Sequence, residues 1–460
     1  MDWIFVLVLV GGIGILLISI IKGKSSMRNL FYFWIASFCF GPRALEIDKD
    51  FRLFFIEAIT IIVFVLMLMH YNVNIFQDYR KIYPKFTGLL MIASIWAYYM
   101  GTTFKLTWGR ILSEGIIFFM IMPTFYIVYM GFKHLNVRFD KIILVLALGG
   151  MVLAMVSVVF YFAPGLAKLL PESLVSGQES KLIEVKYEDI RLKSGERWNR
   201  GGASFWGMLL VSAFYATILF PIWTMAKRTH DPAKKGIFFG LCILLFVSVL
   251  IAGQRSVWLG VLFGFTFYAL LKGFKGFFFG GLLSILLSPL LPHQIYERFF
   301  SSFDASQQTV AVRLVRYKFA WFVWTEHPIL GSGWAGSGWV HNFVLQLGAN
   351  MGTIGFLIFV LWLLNIFFKT FAVYKNTTEE NAYKDVHLCI MSSFVLFFGP
   401  MIGESVINWS VFMIPFWFLC AVLYNYSTGN VKYEHMGREL TIVDEKREKI
   451  LEARRKRRRF

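Results

Sequence analysis

The sequence predicts an all-α, polytopic membrane helix bundle of about 12–13 transmembrane helices, with a long external loop carrying interfacial helices. Three observations predict it. Of 460 residues, 57% are hydrophobic and only 16% charged, against roughly a quarter charged in a soluble domain. Apolar runs long enough to cross a bilayer recur along the chain. The loops between them alternate in basic charge. So much apolar surface cannot be hidden in one globular core, which excludes a soluble enzyme, a disordered chain and a fibrous repeat.

Apolar segments fall at 3–21, 29–41, 53–70, 86–102, 115–132, 142–164, 204–226, 237–252, 256–271, 276–292, 341–368, 387–402 and 406–426. The segment 29–41 is short, and around Pro400–Glu404 the chain reads either as one broken helix or as two spans. The first segment is too long for a cleaved leader and lacks a basic start, so it reads as a helix. The organisation that follows is N-terminal helices in 1–164, an external loop at 165–203, central helices in 204–292, a large external loop at 293–340, C-terminal helices in 341–426 and a basic tail at 427–460.

Charge tests this threading. The net charge of +18 would suggest a nucleic-acid partner in a soluble protein. Here it lies between apolar segments, so orientation is the reading and no nucleic acid is expected. Lys22, Lys24 and Arg28, then Arg80, Lys81 and Lys85, then Lys133, Arg138 and Lys141 occupy alternate loops. Lys227, Arg228, Lys234 and Lys235 follow, then Lys272 and Lys275, then Lys369, Lys375 and Lys384. The run Arg454-Arg455-Lys456-Arg457-Arg458-Arg459 joins the same side and reads as an anchor near anionic lipid. These positions predict a multi-pass protein with a cytoplasmic C-terminus.

Cys39, Cys242, Cys389 and Cys420 sit far apart in apolar segments with no CxxC spacing, so they read as buried thiols and no structural zinc is expected. On the external side, the loop 165–203 carries Arg191, Arg197 and Arg200, and the loop 293–340 carries Arg298, Arg313, Arg316 and Lys318. Long loops obey the orientation rule poorly, so the charge is either incidental or a receptor for an anionic substrate.

Residues 307–326 read as a helix ended by Pro328, with Arg313, Arg316 or Tyr317, and Ala320 on one stripe. Trp321, Phe322 and Trp324 suit a helix lying in the interface. Arg255 sits between two apolar spans with almost no loop, where a charge is costly unless it snorkels or serves a function. His341 follows the Gly/Ser-rich stretch 331–338 at the start of a long span. It is either a structural, hydrogen-bonded histidine or a proton acceptor at the external surface.

The stretch from about 237 to 370 resembles the region shared by O-antigen ligases and O-antigen or exopolysaccharide polymerases. The matching pieces are Gly253-Gln254-Arg255-Ser256-Val257-Trp258-Leu259, Arg313-Leu314-Val315-Arg316-Tyr317-Lys318-Phe319-Ala320-Trp321, His327-Pro328-Ile329-Leu330-Gly331-Ser332-Gly333, and His341-Asn342-Phe343-Val344-Leu345-Gln346 with Gly352-Thr353-Ile354-Gly355. Arg200-Gly201-Gly202-Ala203-Ser204-Phe205 resembles the family's entry to the preceding span but lacks the expected Asn-Pro.

The resemblance implies a metal-independent glycosyltransferase of the bacterial plasma membrane. Its donor would be a polyprenyl-pyrophosphate-linked glycan, its acceptor a glycan or lipid-linked hydroxyl, and its surroundings membrane lipid, with other polysaccharide export proteins as candidate partners. Arg255 and Arg313 would grip the pyrophosphate and His341 would lie near the acceptor hydroxyl. Arg316 and Arg200 are secondary candidates. No cofactor is expected, because the donor linkage already carries the energy. Polymerisation is favoured over ligation onto a lipid A core, and a polysaccharide transporter or flippase is the rival from another class. Asp48-Lys49-Asp50 would suit a metal-dependent glycosyltransferase, and Glu57 and Glu404, near outer span ends, read as structural acids.

Overall fold

A computed structural model describes residues 24–39, 44–46, 52–71, 75, 77–104, 106, 108–162, 190–191, 197–198, 208–252, 254–273, 308–338, 340–377, 381–404, 406, 410–442, 444–446 and 449. The protein is an all-α membrane helix bundle. The predicted segments 3–21 and 276–292, Asp48, Asp50, Arg200 and Arg454–Arg459 lie outside the described residues. The helices are α1 (Lys24–Ser37), α2 (Phe55–Tyr71), α3 (Tyr79–Ile82), α4 (Thr87–Thr103), α5 (Trp108–Phe119), α6 (Ile121–Lys133) and α7 (Phe139–Phe162). Then come α8 (Met208–Arg228), α9 (Pro232–Ile251), α10 (Arg255–Lys272), α11 (Gln308–Glu326), α12 (Phe343–Asn376), α13 (Ala382–Leu396), α14 (Phe398–Gly403) and α15 (Ser410–Ser427). Two small antiparallel strand pairs, Ala44–Glu46 with Arg52–Phe54 and Ile190–Arg191 with Arg197–Trp198, add no sheet layer to the helical bundle.

Among the described residues, five helical stretches are long and apolar enough to cross a membrane, by length and composition: Trp108–Lys133, Phe139–Val159, Pro232–Ile251, Phe343–Asn376 and Ala382–Gly403. Phe55–Tyr71 and Phe412–Ser427 are shorter apolar helices. The ambiguity at Pro400–Glu404 resolves into two helical stretches, Ala382–Gly403 and α15. The short segment 29–41 is a real helix, α1, with Phe31, Trp34 and Phe38 buried.

α6 and α15 are the centre. Nearly every side chain of α6 from Ile121 to Phe132, and every one of α15 from Phe412 to Tyr426, is buried, and the two helices pack along each other. A helix apolar all round must be surrounded, and α12 and α13 complete the shell around α15. Four buried indoles tie helices together through their N–H groups. Trp34 donates to Thr60 Oγ1 at 2.9 Å, Trp362 to Thr87 Oγ1 at 2.8 Å, Trp417 to the Ile117 carbonyl at 3.0 Å and Trp334 to the Ser94 carbonyl at 3.0 Å. Each bond satisfies a donor that would be costly to leave alone away from water.

One crossing positions the site. Gly260 and Gly264 on α10 face Gly399 and Gly403 on α14 and the end of α13, two small-x-x-x-small pairs that let backbones touch. A Cβ on Gly260 would stand 2.3 Å from the Leu396 carbonyl oxygen, and one on Gly399 would stand 2.2 Å from the Gly260 nitrogen. The start of α10 therefore lies against the end of α14.

The basic loops meet at the other end. Arg228 at the end of α8 donates to Asp385 at the start of α13 at 2.5 Å, to Asp444 and to the Leu440 carbonyl at 2.8 Å. Lys272, at the end of α10, reaches Asp385 at 2.7 Å. The segment after α15 folds back over this end. Met436 and Leu440 are buried, and His435 is held between the Phe132 carbonyl and the Lys432 N–H.

Candidate functional site

Three distant segments meet at the end opposite the basic loops. Arg313 Nη2 donates to Glu404 Oε1 at 2.7 Å. His341 Nδ1 lies 2.9 Å from Glu404 Oε2. The Tyr317 hydroxyl donates to the His341 carbonyl at 2.9 Å. Arg313 and Tyr317 are one turn apart on α11, and with buried Ala320 and half-buried Trp324 they form the stripe facing α12. Trp324 donates to Thr353 at 3.1 Å and sits where a Cβ on Gly348 would collide with its ring. Val315, Phe319, Trp321 and Phe322 are exposed, the apolar surface expected of a helix resting in an interface.

Burial raises the Tyr317 phenol above its ordinary value of 10.0, with Arg313 opposing and Glu404 adding, so the hydroxyl is a settled donor. The side-chain exposures order the trio. Arg313 is 36% exposed, His341 22% and Glu404 10%, so the acid lies behind the two groups that an incoming molecule would meet.

Local chemistry explains each motif. Gln254 starts α10, its carbonyl accepting from Val257 and Trp258 N–H groups. The Trp258 indole donates back to the Val249 carbonyl at 3.0 Å and closes the α9–α10 hairpin, which fixes Arg255 at the first position of α10. Ser256 then packs on α14: a Cβ on Gly403 would fall 2.6 Å from Ser256 Cβ. Arg255 thus immediately precedes, in the chain, the residue that packs on Gly403. The positive end of α10 adds to its charge.

Asn342 caps α12 by accepting from Leu345 N–H at 2.9 Å and donates to the Ile402 carbonyl at 2.9 Å. It anchors the start of α12 to the end of α14, and His341, at φ +57°, is turned onto Glu404.

The glycine motifs form one joint. α12 is broken at Gly352, whose φ is +67°. In an unbroken helix Thr353 and Ile354 would donate to Ala349 and Asn350. Instead they donate to Pro328 and Ile329 carbonyls, at 2.8 and 3.3 Å. The released Ala349 and Asn350 carbonyls accept from Ser332 and Gly333, at 2.8 and 2.9 Å. The stretch 328–333 therefore plugs the break and satisfies its backbone groups. Trp334 follows into the bundle, and the Glu114 carboxylate holds the loop by accepting from Ala335 N–H at 2.9 Å and Asn350 Nδ2 at 3.0 Å.

The structure brings Arg313 and His341 together through Glu404, while Arg255 opens α10, whose next residue, Ser256, packs against Gly403. Arg316 is half-buried on α11. Glu404, read as a structural acid, is the bridge of the cluster. Glu57 is a structural acid, accepting from Ser410 where both are buried. Among the described residues no group of three or more His, Cys, Asp or Glu side chains could hold a metal ion. The four cysteines are unpaired thiols, three of them buried and Cys39 half-buried. No protein-family model matches the chain, and no curated protein matches it.

Proposed function

We propose that the protein transfers or polymerises polyprenyl-pyrophosphate-linked oligosaccharide at the outer face of a bacterial plasma membrane, with the basic end cytoplasmic. One observation carries the reading: Arg313, His341 and Glu404 interlock at one end of the bundle, with Arg255 on the adjoining helix start. Two guanidinium groups and an imidazole at the external rim are what a lipid diphosphate donor and a hydroxyl acceptor need.

In this reaction the acceptor oxygen attacks the anomeric carbon and forms the new glycosidic bond. The bond from that carbon to the diphosphate oxygen breaks, and the diphosphate leaves with the electron pair. Arg255 and Arg313 stabilise the charge that grows on it, most strongly where water is scarce. His341 takes the acceptor proton at Nε2. Glu404 supports this by holding Nδ1–H, the tautomer that leaves the basic lone pair on Nε2. The resemblance to O-antigen ligases and polymerases supports the donor class. The interfacial aromatic face of α11 suits a substrate whose lipid stays in the bilayer.

Deletion of the gene followed by gel analysis of surface and lipid-linked glycans tests the reading. Surface glycan capped with single repeat units is expected for a polymerase. Long polymer left on the polyprenyl lipid would mark a ligase. An unchanged glycan profile would overturn both. Arg255→Ala, Arg313→Ala and His341→Ala, at matched expression, should each lower transfer by roughly a hundredfold or more. Full-length polymer from all three would reject the site.

A further inference from the structure

Glu404 serves two groups that the transfer reaction would use at different moments. Its Oε1 holds Arg313 and its Oε2 holds His341, and it is the most buried of the three. A guanidinium already paired with a carboxylate is a weakened receptor for an anion. An acid shared between a guanidinium and an imidazole also divides its field between them. Arg313 presents its exposed portion outward, so an arriving anion would reach it without first displacing the acid.

We infer that Glu404 is an exchangeable counter-ion that couples arrival of a diphosphate to readiness of His341. A diphosphate carries more charge than a carboxylate and offers more acceptor oxygens, so it competes for the Arg313 fork. Once Arg313 turns to the diphosphate, the Glu404 charge acts on His341 alone, favours the imidazolium that forms when the acceptor proton moves, and keeps the ring oriented. Glu404 is a positioning residue under this scheme, acting through Arg313 and His341. The order of events follows: donor first, acceptor activation second. This rests on the reading that the cluster receives a lipid diphosphate, but its binding half can be tested without any glycan.

The test uses the full-length protein in lipid nanodiscs and inorganic pyrophosphate as the probe, titrated calorimetrically. Glu404→Gln keeps the shape and removes the competing charge. It is expected to bind pyrophosphate at least fivefold more tightly than the unsubstituted protein. Glu404→Asp, too short to reach both partners, should tighten binding as well and serves if the glutamine variant fails to fold. In an Arg313→Ala background the Glu404→Gln change should have no such effect, because the exchange needs the guanidinium. With a lipid-diphosphate glycan donor, Glu404→Gln should lower kcat at least tenfold while donor KM stays level or falls. A purely structural acid would instead raise KM and weaken pyrophosphate binding. Unchanged or weaker pyrophosphate binding in both Glu404 variants would overturn the exchange, whatever the glycan phenotype. Tighter binding in a protein whose deletion leaves glycans unchanged would keep the exchange and discard only the reaction.

Discussion

At the scale of single residues, the cluster is organised by what each side chain can donate. The Tyr317 hydroxyl holds the His341 backbone through its carbonyl, while Glu404 holds the ring through Nδ1. Two restraints fix a residue whose φ of +57° is costly for anything but glycine. Tyr317→Phe removes one restraint and leaves the Arg313 pair in place. For the transfer proposed above, a net hydrogen bond of about 1 kcal/mol corresponds to a three- to tenfold loss of kcat with donor KM unchanged, read from initial rates in reconstituted protein. A change in KM alone would place Tyr317 in binding rather than in positioning. Arg313 and His341, which the structure joins through Glu404, drew notice in the sequence because a guanidinium or imidazole beside an apolar run is expensive. Glu404 did not, since one acid at a span end is commonplace and its partners lie 91 and 63 positions away. The spacing of Gly399 and Gly403 immediately before it was the available signal, because a close helix crossing there delivers whatever follows to the start of α10.

Elements were legible where a repeating pattern specified them, and their interruptions were not. The boundaries of α11, predicted at 307–326, fall at Gln308–Glu326, because Pro328 stops the helix and the aromatic stripe marks its face. The span predicted at 341–368 begins within two residues of α12, yet the break at Gly352 left no trace in a hydropathy that stays high across it. That break exists because 328–333 supplies the replacement hydrogen bonds, a long-range partner no local pattern encodes. Two glycines in the same loop separate backbone strain from docking. Gly333 has φ +88° and a Cβ there would lie 2.1 Å from the Gly101 nitrogen. Gly338 has φ +63° with nothing within 4 Å. Gly338→Ala should therefore cost only the left-handed penalty, about 1–2 kcal/mol. Gly333→Ala must in addition push the loop off α4, so it should lower the thermal midpoint of the solubilised protein further and raise hydrogen exchange at 331–338. Equal losses from the two substitutions would mean that the loop is not seated on α4.

Across the whole molecule, charge separates into two ends with different chemistry. The alternating basic loops were legible one by one, and the structure gathers them: Arg228, Lys272, Asp385 and Asp444 interlock where four chain segments meet, far along the helices from Glu404. The sequence put the basic tail on the side of these loops; what it did not reveal is that the segment after α15 packs against this end, because that docking depends on two apolar side chains, Met436 and Leu440, amid a charged stretch. His435 makes the clasp sensitive to pH. Its Nδ1 accepts from Lys432 N–H at 2.8 Å, so Nε2 carries the proton and donates to the Phe132 carbonyl at 2.9 Å. Burial holds its pKa below the ordinary 6.5, against the opposing pull of the Phe132 carbonyl and of Glu434. The undocked tail therefore binds more protons than the docked one between the depressed value and about 6.5. Docking is complete above that range and weakens as pH falls through it. Hydrogen exchange at residues 431–442, corrected for the intrinsic pH dependence, should accelerate from about pH 6.5 downward, while α6 and α15 stay protected. His435→Gln cannot ionise and should flatten that dependence. Acceleration of the same size in the glutamine variant would show that His435 is not the source of the pH sensitivity.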